Sequence, residues 1–221
     1  MGDLLSFIGM ATKRRGDYFS QAESLAKKCK DQPTLEERMR VESNALVKGY
    51  RDKLMRWEEY ERSLLDKTLV SALASVYLGS EKDRPKEKME KAWPTIVGDM
   101  IPPLVKFLGE TKEYVDSGVL RLGDQTEEFA EGPPGRTWRS LANRVARYLA
   151  TPTFSFFNLG EFYMSLDQGF KEMKRISHHD EQSCKDCESY SSQGWKPMGT
   201  LPMPGRDCQC YDNCRCYVEY R

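Results

Sequence analysis

The chain is short of apolar residues. Hydrophobic side chains fill 39% of its 221 positions, against 31% charged. A compact globule usually holds a larger apolar share, so an elongated helical protein, or one that buries surface on partners, fits the composition better. No apolar run approaches the roughly 18–20 residues of a bilayer-spanning helix, so no membrane partner is expected. Net charge is also missing, because 34 basic residues balance 34 acidic ones. That argues against a protein that binds nucleic acid or an anionic membrane through bulk charge. Alternating strand runs are scarce. There is no Walker loop, no G-x-S-x-G elbow and no H-E-x-x-H. No nucleophile is assembled with a base, and no enzymatic activity is expected. A signal peptide is not expected either: Lys13, Arg14 and Arg15 follow a short apolar start with no cleavage-like site.

Histidine is nearly absent, and the two present are adjacent, His178 and His179. His179-Asp180-Glu181 before Cys184-x-x-Cys187 superficially matches the zinc deaminase signature. In those enzymes a strand and a helix separate the two parts. Here only Gln182 and Ser183 intervene, no proline precedes Cys184, and no βα alternation surrounds it. Deamination is set aside.

Cysteine is abundant but confined. Of seven cysteines, Cys29 stands alone in a helical, polar context. Cys184, Cys187, Cys208, Cys210, Cys214 and Cys216 crowd the tail. Cysteines used only as small hydrophobes would be scattered among apolar positions. Zinc takes four thiolate or imidazole ligands in a tetrahedron, and Cys184-Lys185-Asp186-Cys187 is a CxxC knuckle of the kind that supplies two. Four of the six cysteines would hold one zinc ion, with Cys184 and Cys187 the firmest pair. Disulfides between the knuckle and the downstream cysteines are the alternative. A chain kept in the cytosol keeps its thiols reduced, which favours metal.

The same tail carries a family resemblance. Ile176-Ser177-His178-His179-Asp180-Glu181-Gln182-Ser183-Cys184-Lys185-Asp186-Cys187 is followed by Trp195, Leu201-Pro202-Met203-Pro204-Gly205 and Asn213-Cys214-Arg215-Cys216. This order resembles the C-terminus of Mu F-type phage head morphogenesis proteins, the minor head proteins of tailed phages. The resemblance runs from about Phe157 to the end. Tyr211-Asp212 stands where the family has His-Pro, so a usual ligand is missing, and Cys208 or Cys210 is left to replace it. The resemblance implies a structural virion protein of the head or head-to-tail connection, made in the host cytoplasm. Its implied partners are portal or major capsid subunits, in multiple copies around a ring or shell. A zinc-ribbon nucleic-acid-binding protein is the alternative, but the module's charge balance is acidic, whereas a ribbon that grips DNA exposes several lysines or arginines.

The expected fold is mainly α: an elongated helical body with a small Cys-rich, zinc-ribbon-like β-hairpin module at the C-terminus. Residues 1–33 form an N-terminal arm or short helix, either packed on the body or docked into a neighbouring subunit. Residues 34–131 form a helical body. Within it, 34–79 reads as one long amphipathic helix, or two that break near Gly49, with Val47, Tyr50, Leu54 and Trp57 at helical spacing and a Thr34/Glu37 capping box. Trp93-Pro94 starts a further helix, and Pro102-Pro103 interrupts. Gly132-Pro133-Pro134-Gly135 marks a boundary. Residues 136–176 form a second helical segment. Its first helix is basic, with Arg136, Arg139, Arg144 and Arg147 as candidate contacts to DNA phosphates or an acidic subunit. Pro152 is expected to end that helix, and Asn158 to cap the next with Glu161. Residues 177–221 form the zinc-binding module. The aromatics Tyr50, Trp57, Trp93, Phe107, Trp138 and Phe156-Phe157 exceed what a short helical body is expected to bury, which points to interfaces.

Overall fold

The computed structural model describes residues 4–80, 83–120, 122, 137–150, 152–177, 183–205, 208–209, 214 and 216–221. Seven helices come first: α1 (Leu4–Lys13), α2 (Arg15–Cys29), α3 (Gln32–Arg51), α4 (Trp57–Gly79), α5 (Pro85–Asp116), α6 (Trp138–Leu149) and α7 (Pro152–Asp167). The C-terminal part holds β1 (Glu172–Ile176), α8 (Lys185–Ser192), β2 (Lys196–Pro197) and β3 (Tyr217–Tyr220). The protein is mainly helical, with a small antiparallel sheet and a cysteine cluster at its C-terminal end.

The body is built around α4. From Thr68 to Gly79 this helix has no charged residue, and every residue there is buried. A helix that is apolar all round belongs at a centre, and α2, α3, α5, α6 and α7 pack about it. Two of its buried hydroxyls are satisfied, Ser71 donating to the Leu149 carbonyl at 2.6 Å and Ser75 to the Ser71 carbonyl at 2.8 Å, while those of Thr68 and Tyr60 have no partner among the described residues. Helix α7 crosses α4 at very short range. A Cβ on Gly79 would strike the Phe157 carbonyl, and one on Gly160 would strike the Val76 carbonyl. Two glycines therefore set the closest approach from opposite sides.

Residues 34–79 form two helices, not one. Helix α3 ends at Arg51 and α4 starts at Trp57. The break lies just past Gly49, with Lys53 in the left-handed region at φ 61°. The stripe residues then meet each other across the bend. The Tyr50 ring lies 4.8 Å from that of Tyr60 and 5.5 Å from that of Trp57. Leu54, in the turn, is left 79% exposed.

Several caps and breaks also differ. Asp31, not Thr34, caps α3, accepting from the Thr34 N–H at 2.8 Å. Pro94, Pro102 and Pro103 lie inside the 32-residue α5. All three are exposed, as are Glu90, Gly98 and Asp99, whose carbonyls they leave without a helical donor. Water reaches such carbonyls, so the helix continues. Helix α6 ends at Leu149, just ahead of Pro152 as expected, and Pro152 also opens α7, a favoured place for a residue with no N–H to give. Asn158 lies within α7, donating to the Phe154 carbonyl at 2.9 Å instead of capping. Thr137, which the sequence reading did not single out, caps α6 by accepting from the Ser140 N–H at 3.1 Å.

One apolar core runs from Phe7 of α1 to Leu159 of α7, so α6 and α7 share the core of the preceding helices. The expected boundary at 132–135 lies outside the described residues. Helix α1 packs on α5 through Phe7 and Ala11, as a packed helix and not as a projecting arm. The aromatics expected at interfaces are internal. Tyr50, Trp93, Phe107 and Phe156 are buried, and Trp57, Trp138 and Phe157 pack against the core. The Trp93 ring stacks on that of Tyr18 and meets that of Phe19 edge-on. The folded-back helices supply a larger interior than a single rod would.

The sheet runs β2-β1-β3, with β1 antiparallel to both neighbours. Its central strand comes directly after α7. Met173 pairs with Tyr220 and Arg175 with Val218. Met173, Arg175 and Ser177 point inward, as alternation along a strand requires. The strand ends are clamped by Arg221, whose guanidinium binds Glu172 at 2.8 Å and lies 4.4 Å from the Trp195 ring centroid.

Candidate metal centre

Three short local structures bring the cysteines together. Cys184 is the extended N-cap of α8, and Cys187 is in that helix's first turn, so the i, i+3 spacing turns both thiols to one side. Cys214 and Cys216 precede β3 in phase with its inward residue Val218, because extended chain returns to the same face every second residue. Cys208 arrives on the loop between, where the Gln209 N–H donates to Asp186 of α8 at 2.9 Å. Phe154 of α7 packs against the cluster from the helical side.

Cys187, Cys208, Cys214 and Cys216 are buried, and Cys184 is half-buried. Their sulfurs fall into two close trios, Cys184–Cys187–Cys208 and Cys187–Cys214–Cys216, with every pair in a trio within 4.8 Å. Cys187 belongs to both. Its sulfur is 3.9 Å from that of Cys214. A tetrahedral site with zinc–sulfur bonds of about 2.3 Å places its ligands roughly 3.8 Å apart. The described cysteines form no disulfide with one another. The donor set, its burial and its spacing fit a metal ion. Of the residues singled out from sequence, Cys210 and both histidines lie outside the described residues. Cys29 packs in the helical core, in a buried cluster separate from that of the tail cysteines.

The residue that the sequence pattern did not single out is Arg175. It has no exposed surface. One guanidinium nitrogen, Nη2, donates to the sulfurs of Cys187 at 3.3 Å and Cys214 at 3.5 Å. The other, Nη1, donates to the Pro202 carbonyl at 3.0 Å. Its carbon lies 5.0 Å from the Tyr190 ring centroid. Burial works against this charge, but the hydrogen bond to Cys208 and the negative potential of Cys208, Cys214 and Cys187 outweigh it and push the arginine's pKa up. The Cys214 thiol is held below the ordinary cysteine value, first by its hydrogen bond to Cys208 and against the effect of burial. One signal was available: Arg175 shares the inward phase of Met173 on β1.

The arginines of the basic helix differ in their surroundings. Arg136 lies outside the described residues. Arg144 is neutralised by Glu110 at 2.7 Å and sits 4.7 Å from the Phe107 ring centroid. Arg139 and Arg147 are exposed. No helix among the described residues is long and apolar enough to cross a membrane. Comparison of the chain with protein-family models, with curated proteins and with solved structures finds no match.

Proposed function

We propose a non-enzymatic, structural role in a tailed-phage virion, as a minor component of the head or head-to-tail connection whose C-terminal module is held by one zinc ion. One observation carries this reading. The three sequence elements that resemble the phage head morphogenesis family, the CxxC knuckle, the Leu-Pro-Met-Pro-Gly turn and the final Cys-x-Cys, meet at Arg175 through Cys187, Pro202 and Cys214. Zinc would be held by four of Cys184, Cys187, Cys208, Cys210, Cys214 and Cys216, and its binding energy would stabilise a module with a very small apolar core of its own. The partners would be portal or major capsid subunits, met in several copies. Exposed aromatic stripes do not support this contact, because those side chains are internal. The remaining support is the resemblance together with the balanced charge, which lets like subunits approach around a ring.

The test is incorporation. Reduced, chelator-free protein should contain about one zinc per chain. Cys184→Ser should lower both zinc content and recovery of the protein in sedimented phage particles. Zinc-free wild-type protein with paired sulfurs would overturn the metal part. Complete, stable, DNA-filled particles built without the protein would overturn the assembly part. The nucleic-acid alternative predicts instead an affinity for DNA that falls steeply with salt.

A further inference from the structure

Arg175 is wholly buried, and a guanidinium keeps its proton under all conditions in which proteins fold. A buried charge with no counter-charge is strongly unfavourable. The described contacts of its terminal nitrogens and guanidinium face are the sulfurs of Cys187, Cys208 and Cys214, one backbone carbonyl and one phenol ring. Its Nε has no hydrogen-bond partner among the described residues. No carboxylate features in those contacts, so the compensating charge comes from the sulfurs. Disulfides or neutral thiols would leave the guanidinium unbalanced. Four thiolates around a divalent cation leave two negative charges, whereas each imidazole that replaces a thiolate removes one. A centre of three or four thiolates therefore offsets Arg175, and the two described trios supply five cysteine sulfurs for it.

We infer that Arg175 is the fixed counter-ion of an all-thiolate metal centre, a positioning residue that braces the Cys187 and Cys214 ligands. It also ties the centre to the rest of the module. Its other nitrogen holds the proline-rich turn, and its strand joins both sheet neighbours. Donation from outer residues to metal-bound sulfur orients the ligand and tunes its basicity.

This inference rests on the metal reading above, and one experiment separates the two. Zinc affinity of the full chain is measured under reducing conditions by competition with a chromophoric chelator. Wild type, Arg175→Met, Arg175→Gln and the exposed control Arg139→Met are compared. Both Arg175 variants should bind zinc about 10–100-fold more weakly, the range usual for lost outer-sphere partners, and the control should match wild type. Arg175→Gln keeps a donor without the charge and decides the matter if Arg175→Met fails to fold. A packing or hydrogen-bonding role would be largely kept by Arg175→Gln, whereas a counter-ion role is lost in both variants. Cobalt-substituted wild type should show sulfur-to-cobalt charge transfer with the intensity of four thiolates. Wild type that binds no zinc overturns the metal reading and the inference together. Wild type that binds while both variants bind within threefold of it, or a cobalt spectrum showing imidazole, overturns the inference alone.

Discussion

Lys88 is wholly buried near the start of α5, and its ammonium is held by Asp167 at 2.7 Å and Asp83 at 3.0 Å. Asp167 ends α7 and also takes Lys91 at 2.8 Å and Arg84 at 3.4 Å. One carboxylate thus binds the last turn of α7 to the first turns of α5. The hydrogen bonds from Lys88 and then Lys91 hold the Asp167 carboxyl down to about 2, below the ordinary value near 3.9. A depressed carboxylate contributes stability that is complete above its unfolded value and disappears as pH falls through its folded value. Lys88 is shifted up, against its burial, by the same two aspartates, so its contribution persists through neutral pH and is lost only at alkaline pH. Asp167→Asn should therefore lower stability by about 2–3 kcal/mol at pH 7. That is less than the 3–5 expected for a fully isolated buried charge, because Asp83 remains. The gap between wild type and variant, read from urea midpoints, should hold down to about pH 5 and close between about pH 4 and pH 2. A gap unchanged at pH 2 would show that Asp167 acts through shape and not charge.

Between elements, the α4–α7 crossing is the tightest feature of the body. Gly160 and Gly79 each face the backbone of the other helix, which has no side chain to move aside. Gly160→Ala should cost about 3 kcal/mol. Overpacking against a fixed carbonyl outweighs the roughly 1 kcal/mol that alanine contributes to a helix. Gly98 lies on the open side of α5, where a Cβ would meet nothing within 4 Å. Gly98→Ala should instead stabilise by about 0.5–1 kcal/mol. Thermal or urea unfolding of the two variants checks both signs at once. Equal effects would mean that the crossing relaxes more readily than its geometry implies.

For the whole molecule, the question is how far the cysteine module stands apart from the body. The module's apolar cluster of Met173, Leu201, Met203 and Val218 is small, and Phe162 of α7 packs against it and against the helical core. Chelation of the metal should therefore leave the helical signal in far-UV circular dichroism largely intact. Amides of β1, α8 and β3 should lose their protection from hydrogen exchange. Loss of helical signal in step with the metal would show instead that body and module unfold as one unit. Because the charge is balanced and Arg144 is already paired with Glu110, affinity for DNA should be weak and should not improve when zinc is added.

Local pattern was legible in the chain before any fold was known. The helical periods of the body, the strand-poor composition and the clustering of thiols at one end could all be read from neighbouring residues. Local caps were less secure where a competing acceptor lay nearby, as when Asp31 displaced Thr34. What each face meets was decided by packing in three dimensions. The uncharged run of α4 is a centre because five helices surround it. The aromatics are internal because α3 and α4 fold back, and three prolines are tolerated in α5 because they face water. Arg175 belongs inside only because its sulfur partners come from positions 12 and 39 residues further along the chain. A charged residue on an inward-facing strand position is too costly to place there until the fold supplies the opposite charge, and no local pattern encodes that.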